Sequence, residues 1–254
     1  MIEDLKGKVA LVTGASTGIG AAAAKGFAAN GVKVAVHYNA SADAARAVVD
    51  AIRDAGGEAM AVRGDVTRPE DVKRIVAETL GAFGRIDVLV NNAGGMLGRR
   101  ALAEIDDAHY ERVMQLNAWS VLAFMREIQP VMRAQGGGAI INVTSIAARN
   151  GGGGGAVLYA ASKAFVSNFT RGMAKELWAD RIRVNGVAPG VIDTPFHDRY
   201  SNAQQIEAMR QSVPMGRVGA PDDCVGAFLF LASDALSGYM IGQILEVNGG
   251  QLMP

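Results

Sequence analysis

Three side chains that can handle a proton or an oxyanion lie close together in the sequence: Ser145, Tyr159 and Lys163. Tyr159 and Lys163 stand four positions apart in a helical pattern, so both project from one helix face. A free tyrosine has a pKa of about 10 and is a poor base at neutral pH, whereas a nearby ammonium favours the phenolate. A tyrosine tuned in this way donates a proton to a carbonyl oxygen or takes one from an alcohol. Taken alone, the spacing also fits an ordinary helix face.

Ser145 follows the apolar run Ala139–Val143, which has the pattern of a buried strand. Open parallel sheets bind their ligands at the carboxyl ends of strands, so we expect this hydroxyl to face a substrate. There it would hold the substrate oxygen and stabilise the charge that develops on it. Thr144 offers the same group one position earlier, but the position relative to Tyr159 favours Ser145.

A glycine-rich turn follows the first apolar run, and a helical pattern begins inside it. The small residues let the backbone approach a pyrophosphate, and the helix N-terminus offers unpaired N–H groups and a partial positive charge. A tight turn without a ligand has a similar composition, but its place after the first strand of an alternating chain favours nucleotide binding. The candidate contacts in this turn are Gly14, Ser16, Thr17, Gly18, Ile19 and Gly20.

These side chains need a sheet whose strand ends meet at one edge. Short apolar runs alternate with longer amphipathic stretches along the sequence. The predicted strands are Val9–Thr13, Val32–Val36, Glu58–Val62, Ile86–Val90, Ala139–Val143, Arg183–Val187 and Gln243–Val247. The predicted helices are Gly18–Asn30, Ser41–Ala55, Pro69–Phe83, Asp107–Ala134, Ala156–Ala179 and Pro221–Ser233. This alternation predicts an α/β fold: a single-domain, Rossmann-type, doubly wound parallel sheet of about seven strands with helices on both faces.

No linker or change of composition divides the chain, which we interpret as one domain over residues 1–254. The five consecutive glycines Gly151–Gly155 are too few for a linker between domains and predict a loop. The stretch Val191–Val218 lacks strong periodicity and contains Pro195 and Pro214. It predicts a long excursion with short helices, of the kind that often forms a lid over a substrate.

The composition excludes several classes of function. The 25 basic and 25 acidic side chains cancel, so the basic surplus typical of nucleic-acid or membrane-surface binding is missing. A single cysteine, Cys224, rules out an intramolecular disulfide and a multi-cysteine metal site, and we expect no metal. No apolar run reaches the ~18 residues of a membrane-spanning helix. The first residues carry acids and no apolar segment, so we expect a cytoplasmic protein without a signal peptide.

The order and spacing of several motifs resemble those of the short-chain dehydrogenase/reductase family over essentially all 254 residues. The turn has the spacing T-G-x-x-x-G-x-G, which differs from the common G-x-G-x-x-G fingerprint. The other motifs are Asp65-Val66, Asn91-Asn92-Ala93-Gly94, Asn117, Ser145, Tyr159-x-x-x-Lys163, and Pro189-Gly190 followed by Thr194. The resemblance implies hydride transfer between a nicotinamide and a carbonyl or alcohol, for which the protein supplies position and electrostatics.

The resemblance also implies the roles of the catalytic residues. Tyr159 would exchange the proton with the substrate oxygen, which Ser145 would orient. Lys163 would lower the tyrosine pKa and bind the nicotinamide ribose. Asn117, inside the long helical pattern, would help to hold a water that relays protons to the lysine.

A second set of implied roles concerns the cofactor. Asp65 would accept a hydrogen bond from the adenine amino group, with the Val66 N–H alongside. Contacts to the riboses, the phosphates and the nicotinamide amide are implied for Asn91, Ala93, Gly94, Tyr159, Lys163, Pro189, Gly190, Ile192 and Thr194.

The end of the second predicted strand favours NADP over NAD. An acid there would bind the adenosine 2′-hydroxyl and repel a 2′-phosphate. After His37 and Tyr38, however, no carboxylate occurs before Asp43. Asn39 and Ser41 can donate to a phosphate, and the next helix adds its N-terminus. NAD stays open because no arginine or lysine stands here, and we interpret His37 as only a strand-end residue.

Within the family, the overall layout is most similar to a 3-oxoacyl-thioester reductase. A sugar, polyol or small secondary-alcohol dehydrogenase is the alternative, because this fold hosts many substrates. A nucleotide-binding redox sensor without turnover is disfavoured, since a sensor has no need of the complete catalytic set.

Partners are suggested by basic and aromatic side chains. Arg133 and Lys175 could dock an acidic acyl carrier protein, although isolated basic residues on helices are usually solvated. Arg99 and Arg100 could attract an anionic substrate, but we favour solvated surface charges for them. The resemblance implies a homotetramer. The aromatic side chains available to its interfaces, or alternatively to the core, are Trp119, Phe124, Phe165 and Phe169.

Overall fold

The predicted alternation of strands and helices is present in the computed structural model, which describes residues 1–253. The strands are β1 (Val9–Val12), β2 (Lys33–Tyr38), β3 (Ala59–Arg63), β4 (Val88–Asn91), β5 (Gly138–Val143), β6 (Ile182–Pro189) and β7 (Ile244–Val247). They form one parallel sheet in the order β3-β2-β1-β4-β5-β6-β7. The order reverses at β1 and β4, and the crevice beyond the carboxyl ends of these two strands is the ligand position of doubly wound sheets.

Eleven helices, counted over residues 1–253, connect and cover the strands. They are α1 (Gly18–Ala29), α2 (Ala42–Asp54), α3 (Pro69–Phe83), α4 (Asp107–Met114), α5 (Ser120–Gln135), α6 (Ala147–Asn150), α7 (Val157–Leu177), α8 (Pro195–Tyr200), α9 (Ala203–Gln211), α10 (Val225–Ala232) and α11 (Asp234–Ser237). One core lies between the sheet and helices α1, α2 and α10, and a second lies between the opposite face and α3, α5 and α7. The predicted fold class is therefore confirmed.

Both faces of the central strands are covered, so their side chains are apolar without alternation. All four residues of β1 are buried.

Phe124 is 1% exposed and belongs to the second core, so it is not available to an interface. Phe165 is 40% exposed and stacks on Phe169 at a centroid distance of 5.3 Å. Of the aromatic residues considered for an interface, Phe165 is therefore the one that presents a large exposed surface.

The predicted helix Asp107–Ala134 is not one regular α-helix. Between α4 and α5 the chain makes a π-helical turn over Gln115–Trp119, with Asn117 at its centre. Such turns contain one extra residue and occur frequently at functional sites. The helical periodicity of the flanking residues hides this insertion in the sequence.

The predicted lid stretch Val191–Val218 contains α8 and α9, which are short helices as expected. The glycine run Gly151–Gly155 connects α6 to α7 without regular structure. The predicted helix Pro221–Ser233 begins as a 3-10 turn at Pro221–Cys224 and continues as α10. Within residues 1–253, no helix is both long enough and apolar enough to cross a membrane.

Candidate active site

A cavity of 690 Å³ opens at the carboxyl ends of the strands, over the point where the strand order reverses. Segments that are far apart in the sequence meet in its lining. The predicted site residues that line it are Gly14, Ser16, Thr17, Gly18, Ile19, Asn39, Ser41, Asp65, Val66, Ala93, Gly94, Ser145, Tyr159, Lys163, Pro189, Gly190, Ile192 and Thr194. Three predicted site residues, Gly20, Asn91 and Asn117, lie behind this lining.

The glycine-rich turn at the start of α1 presents backbone atoms to the cavity, with few side chains in between. Gly14 and Gly18 have φ angles of +62° and +56°, which residues other than glycine rarely adopt. A Cβ on Gly14 would also lie 3.0 Å from Ala93 Cα. The turn and the helix N-terminus behind it fit a pyrophosphate, because both leave backbone N–H groups accessible.

Gly20 does not contact the cavity, and its role differs from the predicted one. A Cβ at this position would lie 2.4 Å from the Gly14 carbonyl oxygen and 2.5 Å from Asn92 Nδ2. Glycine is therefore needed to let α1 pack closely against the turn. Asn92 Nδ2 in turn donates to the carbonyls of Thr13 and Gly14, each at 2.9 Å.

His37 holds the turn in place from β2, a role that the strand-end interpretation missed. Its Nδ1 accepts a hydrogen bond from the Gly14 N–H at 3.0 Å, so Nε2 carries the proton and donates to the Gly64 carbonyl at 3.0 Å. The side chain is 1% exposed, and burial lowers the pKa of His37 to about 4. The neutral ring is the form that accepts from Gly14, so protonation breaks this contact.

We expect His37 to make the fold sensitive to acid. A histidine with a pKa near 6.5 when unfolded and about 4 when folded takes up its proton on unfolding. Its stability contribution is complete above pH 6.5 and declines as the pH falls toward 4, by about 2 kcal/mol at pH 5. Urea titrations at pH 7 and pH 5 measure this loss, and His37→Gln should reduce the difference between the two pH values by that amount. An unchanged difference in the variant would contradict the assignment.

Asn91 supports the sheet rather than the cavity wall. Its Nδ2 donates to Asn142 Oδ1 at 2.9 Å, and Asn142 Nδ2 donates to Thr170 Oγ1 at 2.9 Å. This buried chain of polar groups joins β4, β5 and α7 below the site. The Asn91 side chain is thus used between the strands, and the implied cofactor contact of Asn91 stays a prediction for its backbone.

Asp65 and Val66 stand beyond the end of β3 and line the cavity as predicted. One carboxylate oxygen of Asp65 accepts from the N–H and hydroxyl of Thr67, at 2.9 and 2.7 Å. The side chain is thereby oriented, and within residues 1–253 its second oxygen has no hydrogen-bond donor. This geometry suits a carboxylate that accepts from an amino group in the cavity.

Ser145, Tyr159 and Lys163 come together on the cavity floor. Ser145 follows β5, and its Oγ accepts from the Ala147 N–H at 3.1 Å. Tyr159 lies in the first turn of α7, and Lys163 lies one turn later with its side chain 3% exposed. Lys163 Nζ lies 5.9 Å from the centroid of the Tyr159 ring and donates to the Val143 carbonyl at 2.8 Å.

Burial controls the protonation of these groups. It raises the pKa of the Tyr159 phenol to about 12, while a hydrogen bond with the Ser145 side chain acts in the opposite direction. Burial also lowers the pKa of Lys163 to about 8. The upward shift for Tyr159 is opposite to the predicted direction, because burial removes the phenolate from water and so disfavours the charged form. At neutral pH the phenol is therefore protonated and suited to donate to a carbonyl oxygen.

The Asn117 side chain is fully buried beside the site and does not reach the cavity. Its Oδ1 accepts from the Gly95 N–H at 3.0 Å, and its Nδ2 donates to the carbonyls of Gly95 and Val113, both at 2.9 Å. A Cβ on Gly94 would lie 2.7 Å from this Oδ1 and 3.2 Å from Lys163 Nζ. The Asn117 side chain thus fixes the backbone segment that passes directly over the lysine.

Aromatic side chains of the predicted lid stretch pack over Tyr159. The Phe196 ring packs on the Tyr159 ring at a centroid distance of 5.5 Å, and the Tyr200 ring packs on Phe196 at 4.9 Å. Arg99 is partly buried and lines the cavity at this end, which is the position that the alternative of a contact with an anionic substrate requires. For Arg100 the interpretation as a surface charge holds, because its guanidinium forms an ion pair with Asp106 at 3.1 Å on the protein surface.

Comparisons with known proteins identify the family of the chain. A family model described as "Enoyl-(Acyl carrier protein) reductase" matches residues 14–251. A 3-oxoacyl-[acyl-carrier-protein] reductase of Synechocystis sp. is 41% identical, with 98% of each chain covered. A 7alpha-hydroxysteroid dehydrogenase of Escherichia coli is 40% identical over 97% of this chain and 94% of the relative. A crystal structure of an NADH-dependent reductase A1-R′ responsible for alginate metabolism is 43% identical, with a TM-score of 0.90, and covers 99% of this chain and 100% of that chain.

The chain belongs to the short-chain dehydrogenase/reductase family, as its motifs predict. It is an NAD(P)-dependent oxidoreductase that acts on a carbonyl or the corresponding alcohol.

Proposed function

We propose that this protein reduces a carbonyl to a secondary alcohol with NADPH, using Ser145, Tyr159 and Lys163 as catalytic residues. The observation that carries the proposal is the meeting of these three side chains on the floor of a cavity that the glycine-rich turn also lines. The nicotinamide, when bound, supplies the hydride.

In the proposed mechanism, Ser145 donates a hydrogen bond to the substrate oxygen and so places the carbonyl beside the Tyr159 hydroxyl. Tyr159 then transfers its proton to that oxygen as negative charge develops there. Lys163 has one N–H bond to the Val143 carbonyl and two further protons, which are available for the ribose hydroxyls. Its ammonium stabilises the phenolate left by the tyrosine. Asn117 positions Gly94 and Gly95 above the lysine and thereby restricts its movement.

The cavity wall beyond β2 supports a preference for NADP(H). Asn39 and Ser41 line this wall, and the Ser41 hydroxyl makes no capping bond to α2. The first nearby carboxylate, Asp43, is paired with Arg46 on the outside of α2. A 2′-phosphate would meet donors and the helix N-terminus but no acid. The preference over NAD(H) is modest, because this wall presents no guanidinium in the part of the chain that the structure describes.

Asn39→Asp should reverse this preference. A carboxylate at the wall repels a 2′-phosphate and accepts from a 2′-hydroxyl. We expect the ratio of kcat/KM for NADPH to that for NADH to fall about 30-fold, since a like-charge contact costs about 2 kcal/mol. Gln204→Glu, exposed on α9 and outside the cavity lining, makes the same charge change and is the control. Equal changes in both variants would show that the wall does not contact the adenosine.

Two substrate classes are candidates. A 3-oxoacyl thioester is favoured by the Synechocystis reductase, which matches this chain over nearly its whole length. A sugar-derived or other small secondary alcohol is favoured by the alginate-metabolism reductase and by the cationic lining near Arg99. Oxidation of NADPH with a short 3-oxoacyl thioester, and in parallel with a panel of oxo sugars and ketones, tests the two. No reduction of the thioester by a protein that binds NADPH would eliminate the first class.

The protein surface bears on two further predictions, the oligomeric state and the docking of a carrier protein. We infer a homotetramer, which the exposed Phe165 ring on α7 supports because it offers apolar surface for a helix-to-helix contact. Docking of an acidic carrier protein is less well supported. Arg133, one of the two basic residues considered for it, pairs with Asp180 at 3.4 Å. That leaves Lys175 as the stronger candidate contact for the thioester class.

A further inference from the structure

The end of the cavity covered by the lid carries positive charge that hydride transfer itself does not require. Arg99 and Arg199 are among the residues that line it, in addition to Lys163. Among the lining residues, as far as residues 1–253 show, Asp65 is the single carboxylate, and it lies beyond β3 at the opposite end. Asp193 and Asp198 of the lid stretch act on His197 but do not line the cavity, so the charged groups of the lining at this end are all cationic and attract a negatively charged substrate.

Arg99 is fixed by backbone carbonyls instead of by an acid. Its Nε donates to the Tyr200 carbonyl at 2.7 Å, and its Nη1 donates to the Gly154 carbonyl at 2.8 Å. No Asp or Glu within residues 1–253 forms an ion pair with Arg99 or with Arg199. Carbonyls orient the guanidinium without cancelling its charge. An arginine held in this way loses little further freedom when it binds an anion.

The position of Arg99 places this charge close to the reacting group. Gly154 belongs to the loop that leads directly into α7, whose first turn carries Tyr159, and Tyr200 ends the lid helix α8. A Cβ on Gly155 would lie 2.9 Å from Arg99 Cβ, so the loop packs on the arginine stem. The Phe196 ring of the lid contacts the Tyr159 ring. An anion bound by Arg99 and a carbonyl held by Tyr159 therefore share one chamber under the lid.

We propose that the substrate is an oxo acid, and that Arg99 binds its carboxylate while Ser145 and Tyr159 hold its carbonyl. Arg199, exposed at the cavity opening, attracts the same group. The inference rests on the proposed carbonyl reduction and selects within it, since the acyl part of a 3-oxoacyl thioester has no charge beside its carbonyl. Arg99 Nη2 makes no hydrogen bond within residues 1–253 and is therefore available to donate to a carboxylate.

The test compares matched substrates that differ only in this charge. kcat/KM with NADPH is measured for short oxo acids, including sugar-derived ones, and for their methyl esters. We expect the wild type to prefer each acid over its ester by about 10-fold or more, because hydrogen bonds to a charged partner contribute about 1.5–3 kcal/mol. Arg99→Gln should lower the value for the acids about 30-fold more than for the esters, mainly through KM. Arg99→Lys should restore part of the loss, and Arg100→Gln is the control on the surface.

Each contrary outcome separates the inference from the reaction. Equal kcat/KM for acids and esters in the wild type, or turnover of thioesters alone, overturns the oxo-acid inference and leaves carbonyl reduction standing. A parallel loss for acids and esters in Arg99→Gln also overturns it, since an arginine that only joins the lid to the loop would act on both. Failure to reduce any carbonyl, charged or neutral, overturns the proposed function itself and the inference with it.

Discussion

Replacement of Tyr159 by phenylalanine should lower kcat for carbonyl reduction about 1000-fold, within the range for loss of a positioned general acid. The ring, its contact with Phe196 and the cavity shape remain, because only the hydroxyl is removed. NADPH affinity should change less than about threefold, since the phosphate-binding turn and Lys163 are untouched. Stopped-flow or steady-state measurement of NADPH absorbance gives kcat, and quenching of NADPH fluorescence gives the affinity.

Tyr110→Phe is the matched control for this prediction. Tyr110 is 51% exposed on α4 and does not line the cavity, so its hydroxyl has no role in the reaction. Turnover in Tyr159→Phe at the level of this control would refute the assignment of the proton donor. Loss of both turnover and NADPH binding would instead indicate a damaged fold, which a thermal melting curve would reveal.

Replacement of Ser145 by alanine should lower kcat about 100-fold, because one preorganised donor to a developing oxyanion contributes about 3 kcal/mol. The loss should be smaller than in Tyr159→Phe, because the tyrosine hydroxyl still contacts the substrate oxygen. Removal of the serine also removes the hydrogen bond that opposes the rise in the Tyr159 pKa. The pKa of the phenol should therefore move further upward, and alcohol oxidation, which needs the phenolate, should be impaired more than carbonyl reduction.

Ser162→Ala provides the comparison for Ser145→Ala. Ser162 is fully buried on α7, and its Oγ donates to the Tyr159 carbonyl at 2.7 Å without lining the cavity. The kcat of Ser162→Ala therefore shows whether removal of any buried serine hydroxyl near Tyr159 slows the reaction. Equal rates for the two alanine variants would show that the Ser145 hydroxyl does not act on the substrate.

The fold could be predicted because local signals and the burial pattern agree. The helix Pro69–Phe83 has the predicted bounds, since proline suits the first helical turn and Gly84 follows its end. Strand β5 begins one residue before the predicted run Ala139–Val143 and ends with it, because its apolar run is bounded by glycines on one side and polar residues on the other. Periodicity could not show the π-helical turn, since the residues around it still repeat like a helix.

The cavity lining could be predicted where side-chain types carry a chemical signature, as Tyr159 and Lys163 do. The hydrogen bonds of His37 and Arg99 could not be predicted, because their partners are backbone groups far away in the sequence. His37 bonds to Gly64, 27 positions on, and Arg99 bonds to Tyr200, 101 positions on. A carbonyl oxygen is present at every residue, so no pattern in the sequence identifies which one an arginine will meet. Only the packed loops determine that Arg99 turns inward while Arg100 stays on the surface.

We propose that a nicotinamide bound in this cavity transfers hydride to a carbonyl, with Tyr159 as the proton donor. The most direct measurement supplies NADPH deuterated at the transferable position of the nicotinamide C4, together with the panel of oxo acids, ketones and a 3-oxoacyl thioester, and examines the products by mass spectrometry. We predict an alcohol with one deuterium on its carbinol carbon from the wild type, and about 1000-fold less from Tyr159→Phe. Tight binding of NADPH with no deuterated alcohol from any carbonyl would contradict the claim and indicate a nucleotide sensor without turnover.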